Sequence, residues 1–110
     1  LKGNFMEAEI LNLCNQHKDK LKVLETYHFG GYAKHKPELV DFINAFYLEH
    51  KIILDPIYTG KMMYGLFDQI QQNQYAPGST IVAIHTGGLQ GNLGFNYRFG
   101  DLIPNPIIPF

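Results

Sequence analysis

An apolar run over residues 52–54 stops at Asp55-Pro56. Ile57-Tyr58-Thr59-Gly60-Lys61-Met62 follows, and helical spacing starts there at once. This junction constrains the chain more than any other stretch. Proline neither donates to a strand ladder nor continues a helix interior. An extended segment therefore ends here, and a helix begins within a few residues. Hydroxyl side chains sit at the junction, beside the free N–H groups of a first helical turn. A second stretch, Ile84-His85-Thr86-Gly87-Gly88-Leu89-Gln90-Gly91, has the same order of strand, hydroxyl residue and glycine turn. The chain reads as a scaffold that brings these two stretches together.

The elements around them follow from periodicity. Asn4 with Glu7 has the spacing of a capping box, and Met6, Ile10, Leu13 and Cys14 recur at helical intervals behind it. Residues 21–29 alternate as a strand and run into Tyr27-His28-Phe29-Gly30-Gly31-Tyr32-Ala33. Glycines bracketed by rings can line a pocket or form a turn with rings packed over it, and both readings stay open. Pro37 opens a helix, with Leu39, Val40, Phe42, Ile43, Phe46 and Tyr47 as its apolar stripe. Thr59 is the expected N-cap of a helix over residues 60–72. Its predicted apolar face is Met62, Met63, Leu66, Phe67 and Ile70, and Gly65 within it suggests close approach by another backbone. Residues 73–79 form a loop, residues 80–85 a buried parallel strand and residues 86–94 a glycine-rich turn. Pro104, Pro106 and Pro109 exclude regular structure from the tail, about residues 97–110. The alternation predicts an α/β class, a parallel sheet flanked by helices with its chemistry at strand ends.

One domain suits 110 residues. A net charge of −1 gives no basic surface for a phosphate backbone, so nucleic acid is not an expected partner. No apolar run is long enough to span a membrane. Cys14 has no second cysteine to pair with. It reads as a buried thiol, and this cysteine usage points to a cytoplasmic setting. The chain begins at Leu1 without methionine and has few strands for a free-standing α/β domain, so it reads as a fragment of a longer protein.

His17, His28, His35, His50 and His85 are scattered without ligand spacing, so no metal site is expected. Ser79 lies in a Pro-Gly turn and no nucleophile elbow surrounds it. Thr59-Gly60-Lys61 lacks the upstream glycine of a phosphate loop. What remains is Tyr32, Tyr58, Thr59 and Thr86 beside Gly30-Gly31, Gly60 and Gly87-Gly88. Such groups orient a polar aromatic ligand, and their spacing does not name it.

Asp55-Pro56-Ile57-Tyr58-Thr59-Gly60-Lys61-Met62-Met63 together with His85-Thr86-Gly87-Gly88-Leu89 resembles the C-terminal part of a family of pyridoxal-phosphate enzymes. The family groups 1-aminocyclopropane-1-carboxylate deaminase with D-cysteine desulfhydrase, on the tryptophan-synthase-β fold (fold type II). The resemblance covers roughly residues 20–95, and the tail falls outside it. It implies that the whole chain is the C-terminal part of the large cofactor-binding domain. It also implies that Tyr32 and Tyr58 are the active-site tyrosines, and that Thr59 stands at the pyridine nitrogen. Thr86 resembles a hydroxyl residue near the same nitrogen, with Gly60 and Gly87 close to the ring.

The deaminase has glutamate where this chain has Thr59, and the desulfhydrase has threonine. A hydroxyl makes the ring a weaker electron sink, which suits elimination of a thiol better than opening of a cyclopropane. The resemblance thus favours β-elimination from D-cysteine, giving pyruvate, sulfide and ammonia. The alternatives are the deaminase reaction or a non-catalytic ligand-binding or interaction module. The family's Schiff-base lysine and phosphate loops match nothing in these residues. Lys61 reads as structural or solvated, and the isolated chain is expected to be inactive. The implied partners are a small amino-acid substrate, the rest of the polypeptide and a second identical subunit.

Overall fold

The computed structural model describes residues 6–13 and 18–106. Four α-helices follow in order: α1 Met6–Leu13, α2 Pro37–His50, α3 Thr59–Gln71 and α4 Gly91–Phe99, with a 3₁₀ turn at Lys18–Lys20. The expected cap at Asn4, the Cys14 thiol, His17 and the end of the tail from residue 107 lie outside the described residues.

α2 starts where proline's fixed φ favours it. Lys36 is extended, Pro37 opens the first turn, and Lys51 closes the helix in a left-handed conformation with its N–H donated to the Tyr47 carbonyl. Its buried face is Leu39, Val40, Ile43 and Phe46, joined in the core by Leu54 and Ile103. Full burial of each such side chain is worth about 1.5–3 kcal/mol. α3 packs against this face. Phe42 meets Tyr64 and Phe67 edge-on at centroid distances of 5.4 and 5.5 Å.

The face of α3 differs from the predicted one. Met63, Tyr64 and Phe67 pack on the core, while Met62 and Ile70 stay partly exposed. Gly65 admits a ring rather than a backbone: a Cβ there would lie 2.9 Å from Tyr27 Cδ2. The Tyr27 phenol reaches on to donate to Asp68 at 2.6 Å.

The larger difference is the sheet. Residues 21–29, 52–54 and 80–85 do not form strands, so the expected parallel sheet is absent among the described residues. An extended segment becomes a strand only when a neighbour takes its N–H and C=O groups. The run at residues 80–85 is instead exposed, including Val82 and Ile84.

The glycine-rich turn gives way to a helix that the composition did not suggest. α4 carries two buried asparagines that hold the tail. Asn96 Nδ2 donates to the Ile103 carbonyl at 2.7 Å, and its Oδ1 accepts the Leu102 and Ile103 N–H groups. Asn92 Nδ2 donates to the carbonyls of Leu54 and Pro104. The tail beyond Phe99 has no helix or strand among its described residues, yet it delivers Ile103 to the core.

Candidate functional site at the start of α3

The junction at Asp55-Pro56 is built around one carboxylate. Asp55 is 2% exposed. Its Oδ2 accepts the N–H groups of Ile57 and Tyr58, each at 2.8 Å. Its Oδ1 accepts the Thr59 N–H at 2.8 Å and the Thr59 hydroxyl at 2.6 Å. The Asp55 N–H donates back to Thr59 Oγ1 at 2.9 Å. This corrects the expected cap. Tyr58 occupies the N-cap position and makes no capping bond with its side chain. Asp55, three residues earlier, satisfies the open N–H groups and places negative charge at the positive end of α3.

Gly60 completes the corner. Its N–H donates to the Asp55 carbonyl at 2.8 Å. A Cβ on Gly60 would lie 2.4 Å from that carbonyl oxygen and 2.9 Å from Ile43 Cδ1, so no larger residue fits without displacing backbone.

The second stretch arrives against this corner. His85 accepts the Gly87 N–H at Nδ1 and faces the Ile53 carbonyl with Nε2 at 2.9 Å. A neutral ring with its proton on Nε2 satisfies both bonds. The turn through Gly87 and Gly88 has φ of 91° and 85°. It passes close enough that a Cβ on Gly88 would sit 3.6 Å from the Asp55 carboxylate. The two stretches do converge.

Tyr58 and Tyr32 also come together. Their phenol oxygens are 3.4 Å apart, long for a hydroxyl pair, and their rings meet edge-on at 6.2 Å. Both rings are exposed. The bond to Tyr32, reinforced by its proximity, by desolvation and by Asp55, raises the Tyr58 phenol above its ordinary value of 10.0.

Lys61 is buried. Its Nζ donates to the carbonyls of His28 and Gly31 at 2.8 and 3.0 Å. Burial lowers its pKa, while the Asp55 charge works in the opposite direction. Lys61 is thus not solvated, and it also lines the cleft beside the corner.

An open cleft of about 360 Å³ lies beside the corner. Apolar Leu24, Ile57 and Met62 and hydroxyl-bearing Tyr58, Thr59 and Thr86 are among the residues that line it. Tyr32 does not line it and joins the site only through its contact with Tyr58. A further groove of about 330 Å³ between α2 and α3 is lined by rings such as Phe42 and Phe67 and carries no threonine hydroxyl. No group of three or more metal-ligating side chains occurs among the described residues. No described helix is long and apolar enough to cross a membrane.

The donor set fits the ring-facing side of a pyridine cofactor: apolar surface for the ring plane and hydroxyls for its edge. Among the described residues no carboxylate lines the cleft, and Asp55 is turned into the backbone. Sequence reasoning missed Asp55. The signal was present in its spacing, an acid three residues ahead of the N-cap position and four ahead of a threonine.

Several known proteins are similar to the chain in sequence. A "Putative 1-aminocyclopropane-1-carboxylate deaminase" of Pyrococcus horikoshii is 35% identical over 106 residues, spanning 90% of this chain and 31% of the relative. A protein of the same description from Pyrococcus furiosus is 40% identical over 85 residues, spanning 76% and 24%. A "D-cysteine desulfhydrase" of Yersinia pestis is 36% identical over 69 residues, spanning 63% and 21%. No protein-family profile and no solved structure matches the chain. The chain belongs to the pyridoxal-phosphate-dependent 1-aminocyclopropane-1-carboxylate deaminase / D-cysteine desulfhydrase family. It spans between a fifth and a third of the length of these relatives. The match to the Pyrococcus horikoshii protein covers nine-tenths of the chain, so it reaches beyond residues 20–95.

Proposed function

We propose that the chain is the C-terminal part of the large domain of a β-eliminating enzyme. That enzyme would act on D-cysteine or a related small D-amino acid and release pyruvate, sulfide and ammonia. The observation that carries this reading is the cleft edge. It offers hydroxyls and no carboxylate, because the one acid at the corner is consumed by four hydrogen bonds. A pyridine nitrogen facing hydroxyls gives the moderate electron sink that thiol elimination needs.

Pyridoxal phosphate, when bound, supplies the electron-withdrawing ring that stabilises charge at the substrate's α-carbon. The residues of this chain orient and protonate. Thr86 is exposed, and its hydroxyl makes no hydrogen bond to a described residue. It is the available donor for the ring nitrogen. The single proton of Thr59 goes to Asp55, so Thr59 offers at most a lone pair. Gly87, where an added Cβ would meet nothing within 4 Å, leaves open space beside the ring, whereas Gly60 serves the corner itself, its missing Cβ facing Ile43 and the Asp55 carbonyl. Tyr58, with Tyr32 beside it, holds a phenolic proton that can be donated to the substrate carboxylate or the departing sulfur.

The lysine that binds the cofactor comes from the rest of the polypeptide, whose strands also supply partners for residues 80–85. A cytoplasmic homodimer fits this reading. A second reading, the deaminase reaction, is favoured by the names of the Pyrococcus relatives.

An assay of the intact protein separates them. Sulfide and pyruvate from D-cysteine are expected. Release of 2-oxobutanoate from 1-aminocyclopropane-1-carboxylate without sulfide release overturns the proposal. Substituting glutamate at Thr59 is a poor discriminator, since it would set a second carboxylate against Asp55. Thr86→Val tests the ring-nitrogen contact instead, and unchanged sulfide release would refute that role.

A further inference from the structure

The loop that carries Tyr32 has an unusual backbone. Phe29, Gly30, Gly31 and Ala33 all have positive φ, at 54°, 100°, 128° and 58°. Two of these are not glycine, and such conformations persist only where surroundings hold them. Within the loop, the Gly31 N–H donates to the His28 carbonyl at 3.2 Å, and the Lys34 N–H to the Gly31 carbonyl at 3.1 Å. The Gly30 N–H donates to His28 Nδ1. These bonds close the turn on itself, but none fixes it relative to α3, where Tyr58 stands.

Side chains make that link. Phe29 meets Tyr64 edge-on at 4.9 Å. The ammonium of Lys61, in the first turn of α3, bonds both the His28 and Gly31 carbonyls. Gly31 immediately precedes Tyr32, and Lys61 lies three residues after Tyr58. One buried cation thus spans from the element bearing one tyrosine to the loop bearing the other. Burying an ammonium is costly unless its donors are satisfied. A merely apolar filler would have avoided that cost, whereas a long stem with several donors can reach two carbonyls at once.

We propose that Lys61 is a positioning residue for the tyrosine pair, setting where the Tyr32 phenol stands against that of Tyr58. The proposal rests on the reading that these tyrosines serve the substrate. The Tyr58 phenol is the group on which the contact acts, since the bond to Tyr32 is the chief cause raising it.

The test uses the intact protein with Lys61→Met, which keeps an apolar stem and removes the donors. The Tyr58 titration is read by tyrosinate absorbance, as the difference from Tyr58→Phe protein. We expect Lys61→Met to bring this titration down to that of Tyr32→Phe, and the double variant to go no further. Turnover of D-cysteine should fall by about tenfold or more, the scale of a misplaced reacting group. A folded Lys61→Met protein with unchanged Tyr58 titration overturns the proposal. If that variant does not fold, Lys61→Gln, whose amide stops one atom short, is read by the same criterion. A shifted titration with Tyr32→Phe turnover unchanged would uphold Lys61's role while removing the tyrosines from the chemistry.

Discussion

The two stretches that meet at the cleft are held in different ways. At the start of α3, residues 55–60 bond chiefly to one another. A single buried carboxylate takes three backbone N–H groups and a hydroxyl, and the Asp55 carbonyl takes the Gly60 N–H. The stretch from Ile84 to Gly88 has no such centre. It is exposed through Thr86, forms no ladder among the described residues, and is tied down by His85 and by passage beside Asp55. A helix start can be satisfied by side chains a few residues away. A strand end depends on whatever runs alongside it.

The sharpest way to break this contrast is Asp55→Ala. It strands three N–H groups and a buried hydroxyl, and should cost about 3 kcal/mol of stability in urea unfolding. A loss under about 1 kcal/mol would mean that the corner is not self-contained.

Gly60→Ala comes next. Its Cβ meets the Asp55 carbonyl and Ile43, and should cost about 2 kcal/mol by the same measurement. Gly65→Ala makes a useful control. There the obstacle is a tyrosine ring, and the gain in helix propensity, about 1 kcal/mol, offsets much of the strain.

In the second stretch, His85→Ala removes two exposed hydrogen bonds and should cost only about 1 kcal/mol. A loss as large as that of Asp55→Ala would erase the contrast.

The smallest expected effect is on titration. Tyr32→Phe should lower the Tyr58 phenol toward 10.0, as read by tyrosinate absorbance. The linkage follows from the direction of the shift. A folded value above the unfolded one means that the contribution is present below about pH 10 and is lost as pH rises through the folded value. Lys61 has the opposite sign: its folded value lies below 10.5, so stability rises with pH across that interval.

Much of the helical part was legible. Pro37 and the stripe from Leu39 to Phe46 mark α2, and the junction after Pro56 marks α3. The glycine-rich segment concealed α4, whose burial rests on Asn92 and Asn96 rather than on an apolar stripe. The predicted strands at residues 21–29 and 80–85 and the short run at 52–54 do not form, because neither alternation nor an apolar run supplies a neighbour. Of the candidate site residues, Tyr58, Thr59 and Thr86 share the cleft, Tyr32 reaches Tyr58, and Gly60 is sterically required.

By itself, the sequence determined where α2 and α3 begin and where hydroxyls and glycines cluster. Those features rest on proline's fixed φ, side-chain period and bonds spanning about four residues. Tertiary structure alone decided that Lys61 faces the carbonyls of residues 28 and 31, that Asn92 holds the carbonyl of Leu54, and that two tyrosines 26 positions apart share a contact. Contacts at such separations exist only once α3 has packed on α2 and the intervening chain has been placed. No local preference encodes that packing.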